Sequence, residues 1–341
     1  MMAGCSSLRC PNLEEALGLA NVDDWYRRRQ TPYSKMIMIA GGGPNAFSSV
    51  ADVNIYDPHA HIVDPYDQQW TPAAPLLQPR SDFGMATVCD SIYAVGGAST
   101  FKIPEAIEIY DPERNSWRAG PEMLCPRMGL GVTALNGIIF AVGGWDGCQI
   151  SREVEVLDLR QGKWVSLPSM RSGRSHFVLA TVNGLLYAAG GFSEDQYFNS
   201  VVEVYDPRAC RWTTAQPMLN RCHAAATVFR DEIVVVGGFD ENAMDRPTAE
   251  MLTDDGWTLL PEMAVGRSGL GVVNVDGSLI AFGGVNGDDH LSSIEYLDFY
   301  SNQWEMTGCH RGMPASESPS YHKRYTLEAS NLKSLHFAAT R

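Results

Sequence analysis

Residues 137–164 read GIIFAVGGWDGCQISREVEVLDLRQGKW. An apolar run, Ile138–Val142, ends at the double glycine Gly143-Gly144. A polar loop follows, Val154–Val156 alternates Val-Glu-Val, and a lone tryptophan, Trp164, closes the unit. One such unit could arise by accident, but the chain holds close to six of them.

Three columns keep one period. Double glycines end at Gly43, Gly97, Gly144, Gly191, Gly238 and Gly284, and the steps Gly97 to Gly144, Gly144 to Gly191 and Gly191 to Gly238 are each 47 residues. Tryptophans follow at 70, 117, 164, 212, 257 and 304, and arginines stand at 80, 127, 174, 221 and 267. A repeat of this length, carried by independent residue types, is the signature of stacked supersecondary units. The one long step, Gly43 to Gly97, reflects an insertion near HAHIVDPYD in the first unit, where Tyr56 to Trp70 exceeds Tyr110 to Trp117 by the same seven residues.

Within a unit the pattern is all strand. GLGVTAL and GIIFAVGG are short, apolar and bounded by turn residues, as buried strands are, and EVEVLD alternates as a half-exposed strand does. The tryptophan marks a fourth, outer strand that supplies apolar surface between units. Asp111-Pro112 and Asp206-Pro207 are turn formers after the third strand. The double glycine permits positive φ and the close approach of a neighbouring aromatic ring. Four short strands in 40–50 residues is the arithmetic of a β-propeller blade.

Composition bounds the function. The 341 residues can bury a large core, and 45% hydrophobic with 19% charged residues is ordinary for a globular protein. A net charge of −14 argues against nucleic acid and anionic membrane as main partners, since both need a basic footprint. No apolar run reaches the ~18 residues of a membrane span, and the first twenty residues lack a signal-peptide pattern. Eight cysteines, scattered without metal-site spacing, read as reduced thiols of a cytoplasmic protein, in the cytosol, cytoskeleton or nucleus.

AVGG…IEIYDPERNSW…PEMLCPR and AAGG…VVEVYDPRACRW…QPMLNR carry the double glycine, the VEVYDP-like strand, the tryptophan and the Pro-Met before arginine. In these features the chain resembles the kelch repeat over about residues 36–307. The resemblance implies an all-β, six-bladed kelch-type β-propeller over 36–308. Residues 1–35 then form a short helical or irregular tail, too short for the BTB and BACK domains that precede Kelch-like propellers. Blade one starts at KMIMIAGGG with no inner strand before it, so the tail 309–341 is expected to supply that strand and close the ring. GMPASESPSYHK, at the repeat distance, is a poor candidate, and RYTLEAS a better but late one.

The resemblance also implies a function. Kelch-like propellers recruit substrates to cullin-type ubiquitin ligases, and other members bind actin. The expectation is therefore a non-catalytic module binding a protein partner, with the cullin contact made through another chain, and with an actin-binding scaffold as the alternative. An enzyme built from loops is a third reading, because such a site leaves no linear motif. No cofactor and no metal are expected: IAGGGPN lacks the rest of a phosphate loop, GLGVTALNG is no dinucleotide fingerprint, and the histidines lack ligand spacing. His176 and His223 read as residues of a blade mouth.

In Kelch-like propellers of understood peptide recognition, equivalents of Arg80, Arg127, Arg174, Arg221 and Arg267 line the pocket at one mouth. The loops between second and third strands open on that mouth and bring Trp145, Asp146, Phe192, Phe239 and Asn286. Aromatics beside arginine are typical interface anchors. On this reading the partner is an acidic or phosphorylated peptide held by guanidinium forks. The competing reading of the arginines is structural, as caps on carbonyls or partners of acidic residues. The column Glu108, Glu155, Glu203, Glu250 and Glu295 alternates with apolar residues and reads as a solvated strand face.

Overall fold

A computed structural model of the chain describes residues 37–40, 51–56, 70–99, 102–194, 198–242, 244–275, 277–291, 293–299, 301–307 and 336–339. The readings of residues 1–35 as a tail, of the HAHIVDPYD insertion, and of GMPASESPSYHK and RYTLEAS fall outside them. Among the described residues there is no helix, and the strands form six four-stranded antiparallel sheets. These sheets are the six blades.

Blade two runs Ser81–Val88, Ser91–Ala98, Ala106–Asp111, Ser116–Glu122, and blade three Gly131–Leu135, Ile138–Val142, Val154–Asp158, Lys163–Leu167. Blade four is Val178–Val182, Leu185–Ala189, Val202–Asp206, Arg211–Ala215. Blade five is Ala225–Phe229, Glu232–Val236, Ala249–Thr253, Gly256–Leu260. Blade six is Gly271–Val275, Ser278–Phe282, Ile294–Asp298, Gln303–Thr307, with a small hairpin, Val285–Asn286 against Asp289–His290, between its second and third strands. Blade one takes Ile37–Ala40, Val53–Tyr56 and Trp70–Pro72 from the start of the ring. Its inner strand is His336–Ala339, which pairs antiparallel with Ile37–Ala40 (Ile37 opposite Ala339, Ala40 opposite His336). That strand also lies between the inner strands of blades six and two, so the circle has no open inner edge.

Local sequence explains the inner hairpins. Leu135 and Ile138 are joined by Asn136 (φ 50°) and Gly137 (φ 74°), and Val182 and Leu185 by Asn183 (φ 51°) and Gly184 (φ 75°). Two consecutive left-handed residues make the type I′ turn, whose twist matches that of antiparallel strands, and Asn-Gly is its preferred pair. The turn sets the register of the two strands that it joins. In blade three it places Leu135, Ala134 and Thr133 of the first strand opposite Ile138, Ile139 and Phe140 of the second.

The core is distributed between blades. Val95, Ile107 and Ile109 of blade two pack with Ile139, Ala141, Leu157 and Trp164 of blade three, and equivalent clusters join the following pairs. Trp117, Trp164, Trp212 and Trp304 are buried, and each indole N–H reaches back to a carbonyl of the preceding blade. Trp212 Nε1 donates to Pro168 O at 2.9 Å and Trp304 Nε1 to Pro261 O at 2.9 Å. The aromatic payload and its polar handle thus act at one seam.

The double glycine has the positive φ that its sequence suggests and, at Gly143, the close aromatic ring, where a Cβ would lie 3.0 Å from Phe177 Cε1, but it also serves a backbone contact. Gly96 and Gly97 have φ of 68° and 91°, which favours glycine. What crowds them is backbone. A Cβ on Gly96 would lie 2.4 Å from Arg127 O of the next blade, and one on Gly97 would lie 2.6 Å from Ser81 O and Phe83 Cβ. The close approach allows Gly97 N–H to donate to Arg127 O at 2.9 Å, a bond between blades that recurs from Gly144 to Arg174 O and from Gly191 to Arg221 O.

Candidate functional site at the propeller mouth

The arginine column lies inside the blades. Arg80, Arg127, Arg174 and Arg267 are fully buried, and Arg221 is 2% exposed. Each guanidinium pairs with the glutamate of its own blade: Arg80 with Glu108 (3.0 Å), Arg127 with Glu155 (3.0 Å), Arg174 with Glu203 (2.8 Å), Arg221 with Glu250 (3.0 Å), and Arg267 with Glu295. Terminal N–H groups of the guanidinium also cap carbonyls left where the second strand ends and the third begins, while Nε of Arg127, Arg174, Arg221 and Arg267 has no hydrogen-bond partner among the described residues. Arg174 donates to Gly190 O (3.3 Å) and Val201 O (2.9 Å), and Arg221 to Gly237 O (2.9 Å) and Thr248 O (3.1 Å).

The glutamates complete the network. Glu155 accepts from the backbone N–H of Leu124 (2.8 Å) and Cys125 (3.1 Å), and Glu203 from that of Arg171 (2.8 Å). Burial pulls the Arg80, Arg174, Arg221 and Arg267 guanidinium groups down from their ordinary value and pushes the Glu155 and Glu250 carboxyls up, while the ion pairs oppose both shifts. Two sequence expectations are therefore corrected. Arg80, Arg127, Arg174, Arg221 and Arg267 offer nothing to a docked peptide, because their forks are spent on glutamate and carbonyl oxygens. The glutamate column, at most 2% exposed, is no solvated face. Sequence alternation hid this, because the surface it presents is covered by the adjoining connection.

What the mouth does carry begins two residues after each arginine. Asp82, Gly129, His176, His223 and Gly269 occupy equivalent positions, and all five are left-handed, with φ of 53°, 61°, 51°, 52° and 60°. Their backbones join around the axis. Gly129 N–H donates to Asp82 O (2.7 Å), His176 to Gly129 O (2.7 Å), His223 to His176 O (3.0 Å) and Gly269 to His223 O (2.8 Å). This collar encircles a central channel of about 160 Å³, lined below by the inner strands, among them Met85, Val132, Leu179 and Val272.

Above the collar sits an aromatic cluster. Phe192 and Phe239, from the loops of blades four and five, meet at 6.0 Å between ring centroids, and Phe198 packs on both at 5.6 and 5.8 Å. The His223 ring stacks on Phe239 at 5.2 Å and on His176 at 4.3 Å. Trp145 stands at the corresponding place in blade three, its backbone bridged to Met128 and Ile150. Trp145, Phe192, Phe198 and Phe239 are half-buried, so each keeps a solvent-facing part. Phe198 was missed from the sequence. It lies late in a loop whose length varies between blades, and its position relative to Phe192 is fixed only by the fold.

The charge of this rim is acidic. Glu194, Glu241, Asp288 and Asp289 are exposed on the loops between second and third strands. Asp146 accepts from the backbone N–H of Gln149 and Cys148, both at 2.8 Å, and these bonds hold its carboxyl below the usual carboxylate range. Burial alone would raise Asp240, but bonds from the Arg246 guanidinium and from the Met244 and Asn242 backbone outweigh it and lower the carboxyl. Asn286 lies exposed in the blade-six hairpin, its side-chain amide donating to Gly266 O at 2.5 Å.

Comparison with known proteins agrees with this architecture. The Kelch motif matches residues 79–124, 126–171, 173–219 and 266–308, together more than half of the chain. A stretch of 105 residues is 30% identical to Kelch-like protein 41a of Danio rerio, covering 30% of this chain and 18% of that protein. Among solved structures, that titled "Structure of YjhT" superimposes with a TM-score of 0.66 at 14% identity, over 81% of this chain and 98% of the other.

Proposed function

Because the chain belongs to the kelch-repeat family, we propose that it is a non-catalytic protein-interaction module that reads a partner segment at the mouth bearing Trp145, Phe192, Phe198 and Phe239. The observation that carries this reading is the cluster of half-buried aromatic rings on a rigid collar. Aromatic anchors fixed by a scaffold lose little entropy on binding and dominate interface energetics. The buried arginines remove the basis for an acidic or phosphorylated ligand. An acidic rim around aromatic faces favours a segment with apolar and cationic side chains, for which carboxylates and π faces are both attractive.

The finer proposal is substrate recognition for a cullin-type ubiquitin ligase, the cullin contact being made by other domains or another chain. The name of the Danio rerio relative, a Kelch-like protein, supports that direction. The proposed setting is the cytoplasm, in keeping with Cys89, Cys125, Cys148, Cys210 and Cys222, none of which forms a disulfide among the described residues.

The test is proximity labelling in native cells with the wild-type chain and a Trp145→Ala/Phe198→Ala variant of equal melting temperature. A partner set lost with the variant supports the mouth, and cullin-ligase subunits within that set support the finer reading. Filamentous actin retained by both proteins would favour the scaffold alternative.

A further inference from the structure

Three members of the collar carry chemistry that peptide capture does not require. Asp82, His176 and His223 offer one carboxylate oxygen and two imidazole nitrogens that all lie within 4.8 Å of one another. We propose that this trio is a binding site for a divalent transition-metal ion of the zinc type, placed on the propeller axis at the neck of the channel.

The backbone supplies the first argument. Every described collar position is left-handed, and Gly129 and Gly269 hold the residue such a backbone favours. Blades two, four and five instead place Asp, His and His there, at some conformational cost. Metal-ligand side chains standing where other blades hold glycine, and converging on one axis, point to a use for those side chains.

Geometry supplies the second. His176 Nε2 is 3.5 Å from Asp82 Oδ1, beyond ordinary hydrogen-bond length, and His176 Nδ1 is buried with no hydrogen-bond partner among the described residues. His176 therefore has polar capacity that the described residues leave unused. A tetrahedral zinc ion with bonds of about 2.0–2.2 Å separates its ligand atoms by about 3.3 Å. The donors belong to three half-buried side chains that line the channel, and they already lie within 4.8 Å of one another, close to that spacing.

Donor chemistry supplies the third. Two neutral imidazoles and one carboxylate suit zinc and its first-row neighbours, and disfavour calcium and magnesium, which take oxygen ligands. Phe192 packs edge-on to His176 at 5.9 Å, and Phe239 stacks on His223, giving the apolar surround that strengthens a metal site. Three protein ligands leave one coordination position, open toward the channel.

The experiment is calorimetric titration of zinc chloride into the metal-stripped full chain, wild type against His176→Gly/His223→Gly, which installs the glycine found at positions 129 and 269. Both proteins also carry Cys148→Ser to remove an exposed thiol. One equivalent bound by the control at micromolar or tighter affinity, weakened on the order of 100-fold or more in the double-glycine variant, is expected. If that variant does not fold, His176→Asn, whose side chain tolerates a left-handed backbone, replaces it with the same expectation. Cobalt titration adds an independent readout. The expected spectrum lacks a thiolate charge-transfer band. Failure of the control to bind below millimolar zinc, equal binding by the variants, or a thiolate band would each overturn the proposal.

Discussion

Replacing Arg174 by methionine tests the buried-column account where it is sharpest. The side chain is fully buried and Glu203 is 1% exposed, so the substitution strands a carboxylate among apolar neighbours. Arg171 N–H and Ser172 Oγ still donate to Glu203, but the 2.8 Å charge-assisted bond is gone, and Gly190 O and Val201 O lose their donor. Breaking a buried pair in this way costs about 3–5 kcal/mol, chiefly because the remaining charge is uncompensated. For a domain of this size that lowers the melting temperature by roughly 5–9 °C. Adding Glu203→Gln removes the charge while keeping an acceptor for Arg171 N–H, so the double variant recovers part of the loss, with a coupling of about 1–3 kcal/mol. Equilibrium urea unfolding of the wild type, both single variants and the double variant measures the cycle. An Arg174→Met protein within about 1 kcal/mol of wild type, or strictly additive losses, would refute the reasoning.

Deleting residues 336–341 removes the inner strand of blade one and exposes the edge of Ile37–Ala40, so the variant melts lower and aggregates on heating; an unchanged melting curve would contradict the pairing. Trp212→Ala forfeits both interblade packing and the bond to Pro168 O, for a loss of about 3–5 kcal/mol in urea unfolding. Burial pushes the Cys222 thiol up, and a raised value means less thiolate at any pH below it. At pH 8 iodoacetamide therefore labels exposed Cys148 well before Cys222, which reacts only on unfolding, as peptide mass spectrometry will show.

The propeller was legible because its signals are periodic and local. Gly143-Gly144, Trp164 and Arg174 each mark a point where the backbone turns, packs or is capped in the same way in successive blades. The Asn136-Gly137 and Asn183-Gly184 turns could have been read as well, since their backbone demand is local. That the tail 309–341 supplies the inner strand of blade one was legible from the need to close the ring, but its place at His336–Ala339 was not, because that segment pairs with residues three hundred positions earlier and lies past the point where the repeat spacing would put it. The candidate site was harder still. A column of arginines reads equally as an exposed comb or as buried caps until Glu108, Glu155 and their counterparts are seen one strand away. Trp145, Phe192 and Phe239 were identifiable by repeat position, whereas the meeting of Asp82, His176 and His223 depends on ring closure bringing three blades to one axis.

The central claim is that recognition occurs at the aromatic mouth, and its most direct test is hydrogen exchange measured by mass spectrometry on the protein with and without a captured partner. The account predicts slowed exchange in residues 145–151, 192–199 and 239–246. The hairpins on the opposite face, around Asn136-Gly137 and Asn183-Gly184, should exchange as in the free protein. Protection confined to those hairpins or to the outer strands, with the mouth loops unchanged, would contradict it.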